Sequence, residues 1–104
     1  MVAQALQLIM ELSQDPVTVD EVVRKLPTTR RTLERKFRNK LGRSILEEIN
    51  QCHLDRAKRL LKETDLSITA VATAAGFPSL VTMCRVFQRV YKISPGEYRI
   101  RNFL

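Results

Sequence analysis

The sequence predicts an all-α domain of about seven helices, in which one helix–turn–helix unit is used twice and the copies are joined by a long central helix. Three observations carry this. The 104 residues include only three glycines and four prolines, placed as punctuation between segments whose apolar residues recur every three or four positions. Ser or Thr followed three residues later by Glu, a helix-start pattern, stands at Thr18–Glu21, Ser44–Glu47 and Ser94–Glu97. The stretch from Val17 to Glu47 is also echoed by the stretch from Leu66 to Glu97. Thr18 and Val19 return as Ser67 and Ile68, Val22 and Val23 as Val71 and Ala72, Leu33, Arg35 and Phe37 as Met83, Arg85 and Phe87, and Ser44 as Ser94. The offset changes by one residue at the turn, where Pro27-Thr28 stands against Gly76-Phe77. A solenoid needs about three copies to close its core. Two copies describe one small unit presented twice on one surface.

The elements follow in order. Val2, Leu6 and Ile9 share one face of a first helix that ends near Leu12. The Thr18–Glu21 capping box opens a second helix running to about Leu26, where Pro27 stops it. Thr28 or Thr29 caps a third, which reaches about Lys40 and ends at Gly42. The Ser44–Glu47 box opens a helix unbroken to about Glu63, roughly 30 Å long at the standard rise. Ser67 caps a fifth helix to Ala75, which Gly76 ends, and Pro78 or Ser79 starts a sixth running to about Lys92. Ser94 and Glu97, with Pro95 at the first helical position, open the seventh. A single domain over 1–104 then holds a first unit at about 17–41, a linker helix at about 44–63 and a second unit at about 66–92.

Composition narrows the partner. The hydrophobic share of 44% is enough for a folded core, and the net charge of +7 points to a polyanion. No apolar run approaches the roughly 20 residues of a membrane span, and no signal peptide precedes the first helix. A cytoplasmic chain with no membrane partner is the expectation. Cys52 and Cys84 are too few and too far apart for a zinc site, with no CxxC spacing, and fall among apolar helical positions, where free cysteine acts as a small hydrophobe. His53, the only histidine, follows Cys52, but adjacent helical residues point about 100° apart and do not face each other. No catalytic residue, metal ligand or cofactor is predicted.

The second helix of each unit carries the chemistry. In the first, Leu33, Phe37 and Leu41 turn inward, leaving Arg31, Arg35 and Arg38 as a stripe on the far face. In the second, Met83, Phe87 and Tyr91 face inward, and the matching stripe is Val81, Arg85 and Gln88, each fifty residues after its counterpart. This is the outline of a helix-turn-helix, whose second helix enters the DNA major groove. Arginine suits guanine edges, glutamine adenine, and valine a thymine methyl. A basic helix face is often only solvated, and Glu34 lies four residues from both Arg30 and Arg38. From Arg30 to Arg43, however, seven basic residues face that one acid, a density that costs stability unless phosphates neutralise it.

The run Ser67-Ile68-Thr69-Ala70-Val71-Ala72, then Gly76-Phe77, Arg85-Val86-Phe87 and Ser94-Pro95-Gly96-Glu97-Tyr98-Arg99, resembles the signature of the AraC/XylS transcription regulators. The resemblance covers essentially the whole chain. It implies about seven helices, two helix-turn-helix subdomains on a long linker helix, and recognition helices in successive major grooves roughly 34 Å apart. Carried over by position, it implies DNA contacts at Thr29, Arg30, Arg31, Glu34, Arg35 and Arg38, with Arg31 and Arg35 as the main base readers and Glu34 accepting from cytosine. On the second helix it implies Ser79, Leu80, Val81, Thr82, Arg85 and Gln88, and at phosphates Thr18, Ser67, Arg89 and Lys92. The other role for Arg35 and Arg85 is a salt bridge back onto the scaffold. Double-stranded DNA and RNA polymerase are the implied partners, in a transcription activator. A small-molecule effector would act only through a sensor domain absent from this chain. The resemblance allows either a module that stands alone or an excised C-terminal fragment. The expectation is the fragment, because Met1 leads almost directly into the first helix without a linker.

Departures from the family pattern carry their own expectations. Pro27 replaces a usual glycine and cannot supply a positive φ, so the first turn must be built differently. Val23 stands at a common alanine, Lys92 at a common glycine and Met83 at a common phenylalanine. Leu80 and Val81 have no hydrogen-bonding groups, so the second unit reads thymine methyls or mainly anchors and bends the DNA. The Gly76–Leu80 run is similar to that of xylose-operon regulators, a subgroup with a sugar-binding sensor. Two other classes fit parts of the pattern. A helical protein-interaction module accounts for core and caps but not for paired stripes. The DNA-binding part of a repair protein would need metal-bound cysteines at a different spacing.

Overall fold

A computed structural model describes residues 1–103; Leu104, the last position of the expected domain, lies outside them. Among the described residues there are seven helices and no strand: α1 (Val2–Leu12), α2 (Val19–Arg24), α3 (Arg30–Leu41), α4 (Ile45–Glu63), α5 (Ile68–Ala74), α6 (Leu80–Tyr91) and α7 (Pro95–Phe103). Thr18, Thr29, Ser44, Ser67, Ser79 and Ser94 each accept the backbone N–H three residues on, at 3.1–3.2 Å. A cap of this kind is worth about 1 kcal/mol. Thr29 and Ser79 are thus the caps of α3 and α6, in place of Thr28 and Pro78.

Among the described residues only Ser44–Glu47 closes as a full capping box, with Glu47 Oε1 accepting from Ser44 N–H at 3.0 Å. That bond holds the Glu47 carboxyl below its usual range. At Ser94 the glutamate half of the expected box is absent because Glu97 pairs with Arg101 one turn on, at 2.9 Å. At Thr18 it is absent too, and Glu21 instead lines a groove with Pro16 and Leu46. α2 stops at Arg24, short of Leu26. Lys25 and Leu26 make tight three-residue bonds to Val22 O and Val23 O, since a residue preceding proline is driven from the α region.

The two turns differ as Pro27 requires. No residue of the first turn has positive φ, and Thr28 N–H closes it onto Leu26 O at 2.8 Å. In the second, Gly76 takes φ 93° and Phe77 N–H returns to Ala72 O at 3.0 Å. At the ends of the recognition helices the repeat is kept in backbone but not in residue: Gly42 has φ 73° and Lys92 has φ 66°.

Two cores flank one helix. Ala5, Ile9, Val17, Val22, Leu33 and Phe37 pack with Ile45 and Ile49 from the start of α4. Val71, Ala72, Phe77, Met83, Val86 and Phe87 pack with Leu54, Ala57 and Leu61 from its remainder. Tyr91 and Tyr98 meet Phe87 edge-on at 4.8 and 5.5 Å between centroids. Neither core is large enough to stand as an independent domain. α4 runs through both and makes one body, 45 Å long and about 20 Å thick.

Candidate nucleic-acid interface

The two recognition helices start alike. Thr29 and Ser79 each hold an N–H and also hydrogen-bond the hydroxyl of Thr32 or Thr82 at 3.0 Å. Behind these caps Leu33 and Phe37 in α3, and Met83 and Phe87 in α6, are buried and fix the rotation of each helix. The opposite faces are thereby set outward. Arg31, Arg35 and Arg38 are exposed on one, and Val81 (69% exposed), Arg85 and Gln88 on the other. None of these four arginines pairs with a carboxylate among the described residues, so the salt-bridge role for Arg35 and Arg85 is not taken up.

The remaining predicted contacts divide. Arg30 is exposed and pairs with Asp20 at 3.1 Å. Such a surface pair contributes under about 1 kcal/mol and gives way easily to a phosphate. Glu34 pairs with neither Arg30 nor Arg38; its Oε2 accepts the Ile45 N–H at 3.4 Å, at the start of α4. Leu80 is half-buried against the second core, and Thr82 is half-buried with its hydroxyl turned to Ser79. Leu80 therefore presents less apolar surface outward than Val81. Thr18 and Ser67 are exposed at the N-termini of α2 and α5, and Arg89 and Lys92 are exposed at the far end of α6. Arg43 is drawn back into a pair with Glu48.

Three residues that sequence reasoning gave no functional role organise the frame. Arg99 donates from Nε to Leu61 O at 3.1 Å, from Nη1 to Leu66 O at 2.6 Å and from Nη2 to Thr64 O at 3.3 Å. It ties the end of α4 to the start of the second unit. His53 is buried in mid-α4, with Nε2 donating to Asp15 O at 3.3 Å, and Gly76 lies against it. The glycine was legible as a turn, but its close approach to another segment leaves no mark in sequence. Cys52 is half-buried beside the first core, and burial, with the charges of Glu48 and Asp55, pushes its thiol up. It behaves as a small hydrophobe, as predicted.

Paired helices of this geometry, with capped N-termini and a stripe of arginines outside any ion pair among the described residues on the second member, define a DNA-binding module of the double helix-turn-helix class. A family model described as a helix-turn-helix domain matches residues 22–101. The chain belongs to the AraC-type helix-turn-helix family of transcription regulators. It is 32% identical to a xylose operon regulatory protein of Haemophilus influenzae over 100 residues, covering 96% of this chain and 26% of that protein. The chain thus spans about a quarter of the length of the curated relatives it matches. The DNA-binding domain of AdpA, a global transcriptional factor solved with a target DNA, superposes with a TM-score of 0.89 at 29% identity, covering 96% of this chain and 90% of that one. A xylose-binding transcription activator, xylR, superposes at 0.77 and 33% identity, covering 94% of this chain and 26% of that one. The all-α fold with two helix-turn-helix units and sequence-specific DNA binding are accordingly properties of this domain.

Proposed function

We propose that the domain binds double-stranded DNA with α3 and α6 in successive major grooves on one face of the duplex, as the DNA-reading part of a longer transcription regulator. One observation carries this reading. Two helices related by the internal repeat expose equivalent polar stripes, on a body whose 45 Å length accommodates grooves about 34 Å apart. Arg31, Arg35 and Arg38 supply the charged readout, with Arg31 and Arg35 suited to guanine edges. Val81, Arg85 and Gln88 supply a mixed one, with Val81 toward a thymine methyl. Thr29, Arg30 and Ser79 lie where the helix N-termini approach the backbone, and Thr18, Ser67, Arg89 and Lys92 flank the stripes as phosphate contacts.

The likeness to xylose-operon regulators supports a sugar-responsive activator, with the effector bound by a separate sensor domain and RNA polymerase as the eventual partner. Among the described residues no helix is long and apolar enough to cross a membrane, which accords with a cytoplasmic regulator. Selection of bound duplexes from a random pool, followed by footprinting, tests the reading. It requires two protected patches about one turn apart on one face. A single patch overturns it, and binding that is indifferent to added salt overturns phosphate contact altogether.

A further inference from the structure

The two units share α4 and otherwise have separate cores, so α4 alone would leave them free to rock about its axis. A second contact removes that freedom. Gly76, in the turn before α6, sits so close to the loop after α1 that a Cβ there would lie 2.5 Å from Ser13 O. The same Cβ would lie 2.8 Å from Cδ2 and 2.9 Å from Nε2 of His53. The imidazole fills the angle between the segments: it is 3% exposed, donates to Asp15 O at 3.3 Å, and tilts against the Phe77 ring at 5.3 Å. Ser13, 2% exposed, is held in turn by its hydroxyl bond to Met10 O at 3.1 Å.

The place of this junction gives it consequence. Asp15 stands three residues before Thr18, the cap of α2, and Gly76 three residues before Ser79, the cap of α6. Both caps are exposed, and on the proposed reading they stand at the ends that approach DNA. A shift at His53 therefore moves one unit's DNA-facing end relative to the other's while leaving each recognition helix seated on its own core.

We infer that His53, with Gly76 and the Asp15 carbonyl, is the positioning residue that sets the spacing between the two half-sites this domain accepts. It acts through the frame and not by touching DNA, and it rests on the reading that both recognition helices engage one duplex. Burial pushes the imidazole pKa down, against the Asp15 and Ser13 backbone contacts, which favour the charged form. Adding or removing one base pair between half-sites rotates one against the other by about 34° and shifts it by about 3.4 Å. A locked frame cannot follow that change, whereas a loosened one can.

The test uses duplexes from the random-pool selection, remade with the half-sites at the preferred separation and one base pair closer or further apart. Affinity is read by fluorescence anisotropy. The unchanged domain should prefer its own spacing by at least about tenfold. His53→Ala should cut that preference to about threefold or less while the base preferences within each half-site stay as they were. Gly76→Ala, which forces the segments apart from the other side, should flatten it likewise. His53→Gln, whose amide Nε2 can donate in place of the imidazole, should keep it. Phe87→Leu, a core change away from the junction, should lower the melting temperature without altering the ratio.

The inference is overturned if His53→Ala and Gly76→Ala keep the sharp preference, or if both weaken every spacing equally. It is overturned also if neither folds, since the junction is then simply core. An unchanged domain with no spacing preference overturns the two-helix reading itself, and this inference with it.

Discussion

Arg99→Ala should be among the most damaging exposed-side substitutions in the molecule, although nothing about the residue concerns DNA directly. The last carbonyls of a helix have no intrahelical partner. Here the guanidinium fork reaches Leu61 O and Thr64 O at the end of α4, and Leu66 O just before Ser67 caps α5. A hydrogen bond to a charged group is worth about 1.5–3 kcal/mol. Arg99 is half-buried and its 3.3 Å bond is weak, so two effective bonds at the low end give about 3 kcal/mol. Placing a cation at a helix C-terminus is consistent with that figure, adding under about 1 kcal/mol. Against a total of about 5–15 kcal/mol, this is a large share. For a domain of this size it corresponds to a loss of about 12 °C or more in melting temperature, followed by circular dichroism. Arg99→Lys should recover only about a third, because an ammonium is a point donor and cannot span three carbonyls. A melting temperature within about 2 °C of the unchanged domain for Arg99→Ala refutes the argument. Full recovery by lysine refutes the part that depends on the fork.

Lys92→Gly should stabilise the domain by about 0.5–1 kcal/mol, since φ 66° costs a side chain that glycine lacks, yet weaken DNA binding and lower its salt slope by about one phosphate; unaltered salt dependence removes Lys92 from the phosphate contacts. Arg35→Ala should relax selection at one base pair at a cost of about 1–3 kcal/mol, and a uniform loss across sequences would make it a backbone contact instead. Glu34→Ala should lower stability by roughly 0.5–1.5 kcal/mol through the lost bond to Ile45 N–H and leave base preference unchanged; a change in preference at one position sinks the scaffold role. Because burial lowers the folded-state pKa of His53 below 6.5, the neutral form is favoured by folding. Stability should be full above about pH 6.5 and decline as pH falls from there toward the folded value. Melting temperatures between pH 7.5 and 5 should show that decline in the unchanged domain and not in His53→Gln, and parallel curves would contradict it.

How much was legible follows from the range of the forces involved. Caps, turns and inward faces are set within four or five residues, and these came out of the sequence closely: α1 and α4 have the expected bounds, and Pro27 forced a first turn without positive φ. The departures arose where one local signal met another partner within reach, near or farther along the chain. Glu97 satisfies a capping-box pattern but has Arg101 within reach, and Glu34 sits ideally for Arg30 or Arg38 but finds the Ile45 amide first. At the interface, residue types placed the stripes, because amphipathic spacing fixes which face turns out. It could not separate Leu80 from Val81, since that difference depends on how far the second core extends beneath α6. Arg99, His53 and Gly76 act across 23 to 63 residues of chain, and periodicity carries no information at that range.

The repeat is conserved in backbone and divergent in chemistry, and the divergence has a direction. Both recognition helices end in the left-handed conformation, but the first uses Gly42 there and the second strains Lys92 into it. Between them, α3 exposes Arg31, Arg35 and Arg38 outside any ion pair among the described residues, whereas α6 keeps one arginine between Val81 and Gln88. Charge acts at a distance and falls off with salt, while a methyl or amide contact acts only once seated. If both helices engage the duplex as proposed, the first unit is the better electrostatic anchor, and the second gains from an anchor already in place. On the proposed reading, with the frame held by α4 and the His53 junction, that order would make the second unit a check on spacing and on shape. It adds a cation at Lys92 where backbone geometry would favour glycine, which is the residue to expect if charge at the duplex matters more there than stability.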